Sequence, residues 1–219
     1  MAHDIVQCSQ GVTLVGAGPV EAGVLTLARG LAPVLVAADG GVQHCLSIGL
    51  VPSAIIGDFD SVSEQDLNAA KRAELLRVEE QESTDFEKCL ERIMAPYVLA
   101  VGVTGGRVDH ELAVWSVLAR HVGPPTLVLG DEDLIFAAPN NIELDLPIGT
   151  RVSLFPMTEL EGTSEGLEWP IDGFRLSPTG KIGTSNRSTG LVRLSMPTPG
   201  CLVILPKSVL EIALSALVG

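Results

Sequence analysis

The sequence has few basic residues and no long apolar run, and each shortage makes one class of partner unexpected. The 219-residue chain carries 14 basic against 27 acidic residues, a formal net charge of −13. Because no basic patch offsets this charge, we expect neither a nucleic-acid partner nor an anionic membrane surface. No apolar run reaches the length of a membrane span, and the N-terminus lacks the basic region followed by an apolar run that export requires.

Cysteine is also scarce, and its spacing is uninformative for metal binding. The four cysteines, Cys8, Cys45, Cys89 and Cys201, lie far apart and form no CxxC pair. A zinc cluster is therefore not expected. We expect instead that the cysteines are buried thiols in a reducing compartment. We accordingly expect a cytoplasmic protein.

Short apolar runs alternate with helix-like segments over the first two thirds of the chain. This alternation is typical of a parallel sheet wrapped by helices. The predicted strands are 12–15, 34–37, 54–56, 75–78, 98–103 and 126–129. The clearest predicted helices begin near Thr84 and after Gly106, the second with an apolar stripe of Leu112, Trp115 and Leu118 that places Trp115 in the core.

The pattern changes after about residue 139. Strand-length segments at 151–155, 191–194 and 201–205 now alternate with turns rich in Gly, Pro, Ser and Thr, and no good helix follows until the last dozen residues. We predict an α/β fold with a Rossmann-like parallel-sheet domain over 1–138 and an antiparallel β-sandwich domain over 139–219.

Acidic residues follow two of the predicted strands. Asp39 lies in AADGG, and Asp58 and Asp60 lie in IIGDFDS. Carboxylates one residue apart on a turn can face one hard cation, so the pattern predicts a Mg²⁺ site. The alternative is that these residues only form turns and helix caps, as Asp often does. Related motifs at 83–88 (STDFEK) and 104–110 (TGGRVDH) favour the metal site, because ligands gather at the carboxyl ends of parallel strands.

The same two motifs offer groups for a phosphate. Lys88 lies one helical turn beyond Asp85, and the planar guanidinium of Arg107 suits a pair of phosphate oxygens. Gly105 and Gly106 present backbone N–H groups at a predicted helix start, a second anion site.

Plainer interpretations of these residues stay open. Lys88 can be a solvated partner of Glu87 or Glu91, and Asp109 can be a helix N-cap. His110 lies near a helix start, where histidine is often structural, so no general base is assigned.

Taken together, six segments of the chain resemble the thiamine pyrophosphokinase family. They are AADGG at 37–41, VPSAIIGDFDS at 51–61, STDFEKCL at 83–90, TGGRVDH at 104–110, GLEWP at 166–170 and GTSN at 183–186. They occur in the family's order, and together they are far more specific than any one motif. The resemblance implies an N-terminal α/β domain, a C-terminal β domain, a homodimer, and transfer of pyrophosphate from Mg-ATP to the hydroxyl of thiamine with release of AMP.

The resemblance also implies roles for individual residues. The expected catalytic set is Asp39, Asp58, Asp60, Asp85, Lys88, Arg107 and Asp109. The expected metal ligands are Asp58, Asp60 and Asp85. The expected binding residues are Gln81, Thr84, Gly105 and Gly106 for the nucleotide, and Trp169, Ser185 and Asn186 for thiamine, the last three reaching the site across the dimer interface. An aromatic face suits a cationic aromatic ligand, although Trp169 can instead be a core or interface residue.

The chain departs from the family pattern at three places. Glu80 and Glu82 flank Gln81 where aspartate is usual, Val114 and Trp115 occupy a helix that often carries Asn, and the C-terminal helix is not expected of the family.

Three other functions are weighed against this one. An oxidoreductase is disfavoured because Gly16 and Gly18 lack the third glycine of the dinucleotide fingerprint, whose position holds Glu21, and no Walker motif occurs. A pterin-alcohol pyrophosphokinase would have no use for Trp169 and its segment. A non-catalytic Mg-nucleotide sensor would bind the same ligands and release no AMP.

Overall fold

The computed structural model describes residues 5–219. The first four residues, on which the expectation about an export signal partly rests, lie outside the described residues. Two compact units are present, the first ending at Asp131 and the second comprising Leu118–His121 and Glu132–Gly219. The sequence places the boundary a few residues later, at 138, whereas the strand over Asp133–Ala137 pairs with the C-terminal strand over Cys201–Pro206 and so belongs to the second unit.

The first unit is built on parallel strands connected by helices. Its strands are β1 (Val6–Gln7), β2 (Val12–Val15), β3 (Val34–Ala38), β4 (Ala54–Gly57), β5 (Glu74–Arg77), β6 (Ile93–Met94), β7 (Val98–Val101) and β8 (Thr126–Leu129). Its helices are α1 (Ala22–Leu31), α2 (Val42–Ser47), α3 (Glu64–Ala69), α4 (Asp85–Arg92) and α5 (Val108–Ala119). Six strands form one parallel sheet in the order β8-β7-β2-β3-β4-β5, which confirms the predicted strands and their class.

The burial of the strands explains why the apolar runs in the sequence are continuous. Every residue of β2, β4, β7 and β8 is buried, as expected for a parallel sheet covered on both faces. Helix α4 begins where the sequence predicts, because the Thr84 hydroxyl accepts a hydrogen bond from the Glu87 backbone N–H at 3.3 Å.

Helix α5 differs from its predicted orientation. Its buried side chains include Val114, Val117 and Leu118, whereas Leu112 is 60% exposed and Trp115 only half-buried. The predicted stripe of Leu112, Trp115 and Leu118 is therefore wrong, and so is the assignment of Trp115 to the core. Both sets recur at helical spacing, so periodicity alone does not decide which of them faces the sheet.

The second unit is antiparallel. Its strands are β9 (Asp133–Ala137), β10 (Asn141–Asp145), β11 (Arg151–Pro156), β12 (Leu160–Glu161), β13 (Thr163–Leu167), β14 (Arg175–Leu176), β15 (Gly183–Ser195) and β16 (Cys201–Pro206), followed by α6 (Leu210–Val218). The long strand β15 pairs with β10, β11 and β13. Buried and exposed residues alternate along β10, the pattern of a half-covered antiparallel sheet. Within residues 5–219, no helix has the length and apolarity to span a bilayer.

Candidate active site

The carboxyl ends of four neighbouring parallel strands open onto one cavity. In the order β7-β2-β3-β4, these ends lead into loops that carry Gly102, Gly16, Asp39 and Asp58. The cavity has a volume of about 730 Å³, and all its lining residues belong to the first unit. This is where ligands bind in open α/β sheets.

Most of the residues predicted for the first unit's site meet in this cavity. Those that line it are Asp39, Asp58, Asp60, Gln81, Thr84, Asp85, Lys88, Gly106 and Arg107, together with His110. Gly105 and Asp109 do not line it. Thr84 also has a local role as the cap of α4, so its hydroxyl is already engaged with the helix.

Three carboxylates form a cluster suited to a cation. Asp39, Asp58 and Asp60 each offer one oxygen, and these oxygens lie within 4.8 Å of one another. Asp85, predicted as a ligand, is outside this group, and Asp39 takes the third place. Asp39 is buried, and within residues 5–219 its Oδ1 has no hydrogen-bond partner, which is costly for a carboxylate unless a cation or other ligand binds there.

The backbone around the cluster is strained at two residues. Asp39 and Phe59 have positive φ angles of 43° and 67°, which non-glycine residues seldom adopt. Gly57 makes room for the Asp39 side chain, because a Cβ on Gly57 would lie 2.9 Å from the Cβ of Asp39. These observations fit a hard, oxygen-liganded cation such as Mg²⁺.

Asp58 is held by hydrogen bonds from its neighbours. Its Oδ2 accepts from Nε2 of Gln81 at 3.0 Å, and its Oδ1 accepts from the Asp60 backbone N–H at 3.1 Å. The bond from Gln81, followed by that from Asp60, lowers the pKa of Asp58 below its ordinary value. Asp58 is therefore kept ionised, the state in which a carboxylate binds metal.

Lys88 is almost completely buried between two of these carboxylates. Its Nζ lies 3.3 Å from Oδ1 of Asp85 and 4.0 Å from Oδ2 of Asp58. A lysine is rarely buried unless it is paired, so the alternative of a solvated partner for Glu87 or Glu91 is wrong. Desolvation raises the pKa of Asp85, and the charge of Lys88 opposes that shift. Lys88 thus supplies a fixed positive charge within an acidic cavity.

Two glycine-containing loops form a further wall of the cavity. The loop Gly16, Ala17, Gly18 packs against the loop after β7, with the Gly18 N–H donating to the Gly102 carbonyl at 2.7 Å. A Cβ on Gly16 would lie 2.4 Å from that carbonyl oxygen, so only glycine fits. Sequence reasoning missed this wall because it tested the glycines only as a dinucleotide fingerprint. Their place directly after β2 was the available signal.

Arg107 and Asp109 form an exposed ion pair at the cavity. Nε of Arg107 lies 3.1 Å from Oδ1 of Asp109, and Nη2 lies 2.6 Å from Oδ2. This paired geometry lowers the pKa of Asp109 to about 2. Helix α5 begins at Val108, so Asp109 is in its first turn and the N-cap interpretation is wrong. Arg107 lines the cavity with one carboxylate already bound to its guanidinium.

The three residues expected to contact thiamine lie together in the second unit. The Asn186 amide bonds to both backbone groups of Trp169, accepting from its N–H at 3.1 Å and donating to its carbonyl at 2.6 Å. Ser185 precedes Asn186 in β15 and is exposed. The Trp169 side chain projects from this arrangement and is 54% exposed, which argues against the core interpretation.

Comparison with known proteins identifies the family. The family model for thiamin pyrophosphokinase, catalytic domain, matches residues 30–129, and the model for thiamin pyrophosphokinase, vitamin B1 binding domain, matches residues 140–197. Thiamin pyrophosphokinase 1 of Caenorhabditis elegans is 30% identical over 174 residues, covering 70% of this chain and 71% of the relative. Thiamine pyrophosphokinase 1 of rice is also 30% identical, over 62% of this chain and 58% of the relative.

Solved structures agree on the fold. Yeast thiamin pyrophosphokinase superposes with a TM-score of 0.76 at 18% identity, covering 99% of this chain and 90% of that one. The Candida albicans enzyme superposes with a TM-score of 0.74 at 14% identity, covering 93% and 94%. At these identities the likeness supports the fold, while the two family models together span well over half of the sequence. The chain belongs to the thiamin pyrophosphokinase family.

Proposed function

We propose that the chain transfers pyrophosphate from ATP to the hydroxyl of thiamine, giving thiamine diphosphate and AMP. The single observation that carries this proposal is the cavity at the strand ends, where several carboxylates, one buried lysine and the Arg107 side chain converge. Such a set suits a polyphosphate with its metal, and the family's vitamin B1 binding model on residues 140–197 supports thiamine as the acceptor.

The metal proposed for this site is Mg²⁺, held by Asp39, Asp58 and Asp60. Their clustered oxygens and the unpartnered Oδ1 of Asp39 support this choice. Asp85 is adjacent, and its pairing with Lys88 makes it a secondary candidate. When bound, Mg²⁺ would neutralise charge on the triphosphate.

The protein's own groups then have defined tasks. The thiamine oxygen attacks the β-phosphorus, the bond from that phosphorus to the α–β bridging oxygen breaks, and AMP leaves with that oxygen. Lys88 and Arg107 balance negative charge on the phosphates, and the backbone N–H of Gly106, next to the start of α5, binds a phosphate oxygen. Positioning supplies most of the catalysis in such transfers, so no dedicated base is assigned, His110 included.

Thiamine is proposed to stack on Trp169, with Ser185 nearby, in a site shared by two copies of the chain. All cavity-lining residues come from the first unit and Trp169 belongs to the second, and assembly of two copies is proposed to complete each site. Exposed apolar side chains support a partner surface, among them Val108 at 71% and Leu112 at 60% on one side of α5. The proposed partner is a second copy, which makes a homodimer.

A cytoplasmic location is proposed on the state of the cysteines. Cys45, Cys89 and Cys201 are buried and unpaired. Burial raises the pKa of Cys45 and Cys201 to about 12, so these thiols stay protonated and inert.

A product assay tests the proposed reaction. Purified protein with Mg-ATP and thiamine should yield AMP and thiamine diphosphate in equal amounts, with no ADP. Turnover only with a pterin alcohol would establish the sister activity instead, and nucleotide binding without AMP would establish a sensor. A parallel reaction containing Mg-ATP alone controls for simple hydrolysis.

Mixing two impaired variants at a thiamine concentration well below the KM of Trp169→Ala tests the shared site. Asp60→Asn damages the cavity and Trp169→Ala damages the stacking surface, so mixed dimers contain one intact site and should regain part of the activity. Sedimentation should show dimers for each variant. Failure to regain activity despite proven subunit exchange would contradict a shared site.

A further inference from the structure

Asn186 lies where a ligand contact is expected, yet most of the hydrogen-bonding capacity of its side chain is used within the protein. It is 5% exposed. Its Oδ1 accepts from the backbone N–H groups of Trp169 at 3.1 Å and Arg187 at 2.9 Å, and its Nδ2 donates to the Trp169 carbonyl at 2.6 Å. Three hydrogen bonds to main-chain groups leave little of this amide for a substrate.

The position of Asn186 in the sheet explains what these bonds do. Leu167, the last residue of β13, pairs with Ser188, so Trp169 comes opposite Asn186 just beyond the end of the strand. The last backbone bond of this ladder runs from the Glu168 N–H to the Arg187 carbonyl at 2.9 Å. At Trp169 the side-chain amide of Asn186 replaces a peptide group and continues the pairing by one residue.

The result is a rigid backbone that carries an exposed ring. Both main-chain polar groups of Trp169 are bonded to one buried side chain, while the residue is 54% exposed. An exposed tryptophan costs little conformational entropy on binding if its backbone is already fixed.

Ser153 likewise holds the backbone of Ser185 through a side-chain hydrogen bond. Strand β15 has one extra residue opposite Ser153, since Val152 pairs with Asn186 and Leu154 pairs with Gly183. Ser185 in this bulge has a φ of 62°, which is strained for serine. The buried Ser153 hydroxyl accepts from the Ser185 N–H at 2.9 Å and stabilises that conformation.

We propose that Asn186 and Ser153 are positioning residues that fix the backbones of Trp169 and Ser185, and that neither contacts the substrate. This inference rests on the proposed function only for the identity of the ligand. It assigns the substrate contacts to Trp169 and Ser185 and withdraws Asn186 from the expected contact set.

A fluorescence experiment tests the positioning without any turnover. In a Trp115→Phe background Trp169 is the single tryptophan, because the chain has two. Asn186→Ala should lower the anisotropy of Trp169 and increase its quenching by acrylamide. Ser188→Ala is the matched control, because Ser188 is equally buried on the same strand but bonds to Thr150 and Pro147, and it should leave the Trp169 signal unchanged. An unchanged signal in Asn186→Ala would overturn the proposal.

A double-mutant cycle separates positioning from contact. Asn186→Ala should raise the KM for thiamine about fivefold with kcat and the ATP KM nearly unchanged, in line with the loss of one or two hydrogen bonds. In a Trp169→Ala background the same change should have no further effect on the thiamine KM. Multiplying effects would show direct contact and overturn the proposal. If Asn186→Ala melts below assay temperature, Asn186→Ser replaces it, since its short hydroxyl keeps a polar group in the site but cannot bond both backbone groups of Trp169.

The fluorescence experiment and the kinetic cycle separate a failure of the positioning role from a failure of the proposed function. If thiamine is not the substrate, the kinetic cycle gives no signal while the anisotropy change remains, so the positioning role survives the loss of the proposed function. If thiamine is turned over but the Trp169 anisotropy is unaffected, only the positioning role is lost.

Discussion

The cavity of the first unit and the Trp169 surface of the second differ in how far their buried polar groups are hydrogen-bonded within the protein. The cavity is lined by Asp39, Asp58, Asp60 and Asp85 with one buried lysine, Lys88, and within residues 5–219 Oδ1 of Asp39 has no hydrogen-bond partner. Around Trp169, the buried amide of Asn186 makes three hydrogen bonds to main-chain groups. The first site therefore has negative charge and a buried acceptor that are not compensated within the protein, whereas the polar groups of the second are largely compensated.

This difference follows from what each site is proposed to bind. A polyphosphate and its metal bring charge, so carboxylates that are unfavourable alone become favourable when the ligand arrives. A flat cationic ring brings little hydrogen bonding, so its site gains most from a rigid aromatic surface. We therefore expect substitutions in the cavity to affect metal binding and turnover, and substitutions near Trp169 to affect thiamine affinity.

The largest effect is expected from removing a cluster carboxylate. Asp60→Asn and Asp58→Asn should lower kcat on the order of a thousandfold, because the metal site contributes several kcal/mol of charge stabilisation. Mn²⁺ binding, followed by electron paramagnetic resonance, should weaken in parallel. Asp60→Asn should not lose thermal stability, because like charges lie close together in the native cluster. Asp58→Asn should lose some, because the Asp58 carboxylate accepts a hydrogen bond from Gln81 and lies near buried Lys88.

Glu64→Gln is the matched control for these variants. It removes one negative charge from the exposed first turn of α3, outside the cavity, and should leave metal binding and turnover unchanged. Full activity in Asp60→Asn would contradict the metal assignment and remove the main contrast between the two sites.

The sequence predicted more of the first site than of the second, for a physical reason. Parallel strands align their carboxyl ends, so Asp39, Asp58 and Asp60 could be brought together from strand positions alone. The ligand set that the resemblance implied named Asp85 in place of Asp39; the clustering of Asp39 with Asp58 and Asp60 also involves a positive φ at Asp39 and the space at Gly57, which strand positions do not specify. Likewise, whether α5 buries Leu112 or Val114 depends on how the helix sits on the sheet.

In the second unit, the sequence predicted a group of residues that lie together in the structure, but not how they are hydrogen-bonded. Resemblance placed Trp169, Ser185 and Asn186 in the site. The division of roles among them comes from a strand end at Leu167 and a bulge opposite Ser153, both features of tertiary pairing. Pairing register is a long-range property, so local sequence does not determine it.

A smaller effect is expected from truncating the aromatic surface. Trp169→Ala should raise the thiamine KM about tenfold or more, because a desolvated cation–π contact contributes about 2 kcal/mol. The KM for ATP should change little, and Trp169→Phe should recover part of the affinity. The matched control is Phe174→Ala, which removes another exposed aromatic of the same unit, one that is covered by Lys181. Equal rises in both KM values would return Trp169 to a structural role.

The smallest effect is expected at the Arg107–Asp109 pair. Although Arg107 lines the cavity of the first unit, the two side chains hydrogen-bond each other, as the polar groups around Trp169 do. Both side chains are largely exposed, so Asp109→Asn should not change the melting temperature measurably. The pKa of Asp109 is lowered to about 2, so its pairing favours the folded state above the ordinary aspartate pKa and that contribution is lost as pH falls through about 2. Asp109 is therefore ionised throughout the range from about pH 5 to 9, and wild type and Asp109→Asn should share one pH profile of kcat there.

If Asp109 only orients Arg107, the substitution should shift the ATP KM and have no effect once Arg107→Ala is present. A large fall in kcat that persists in the Arg107→Ala background would instead give Asp109 a direct catalytic role, as the family resemblance implies.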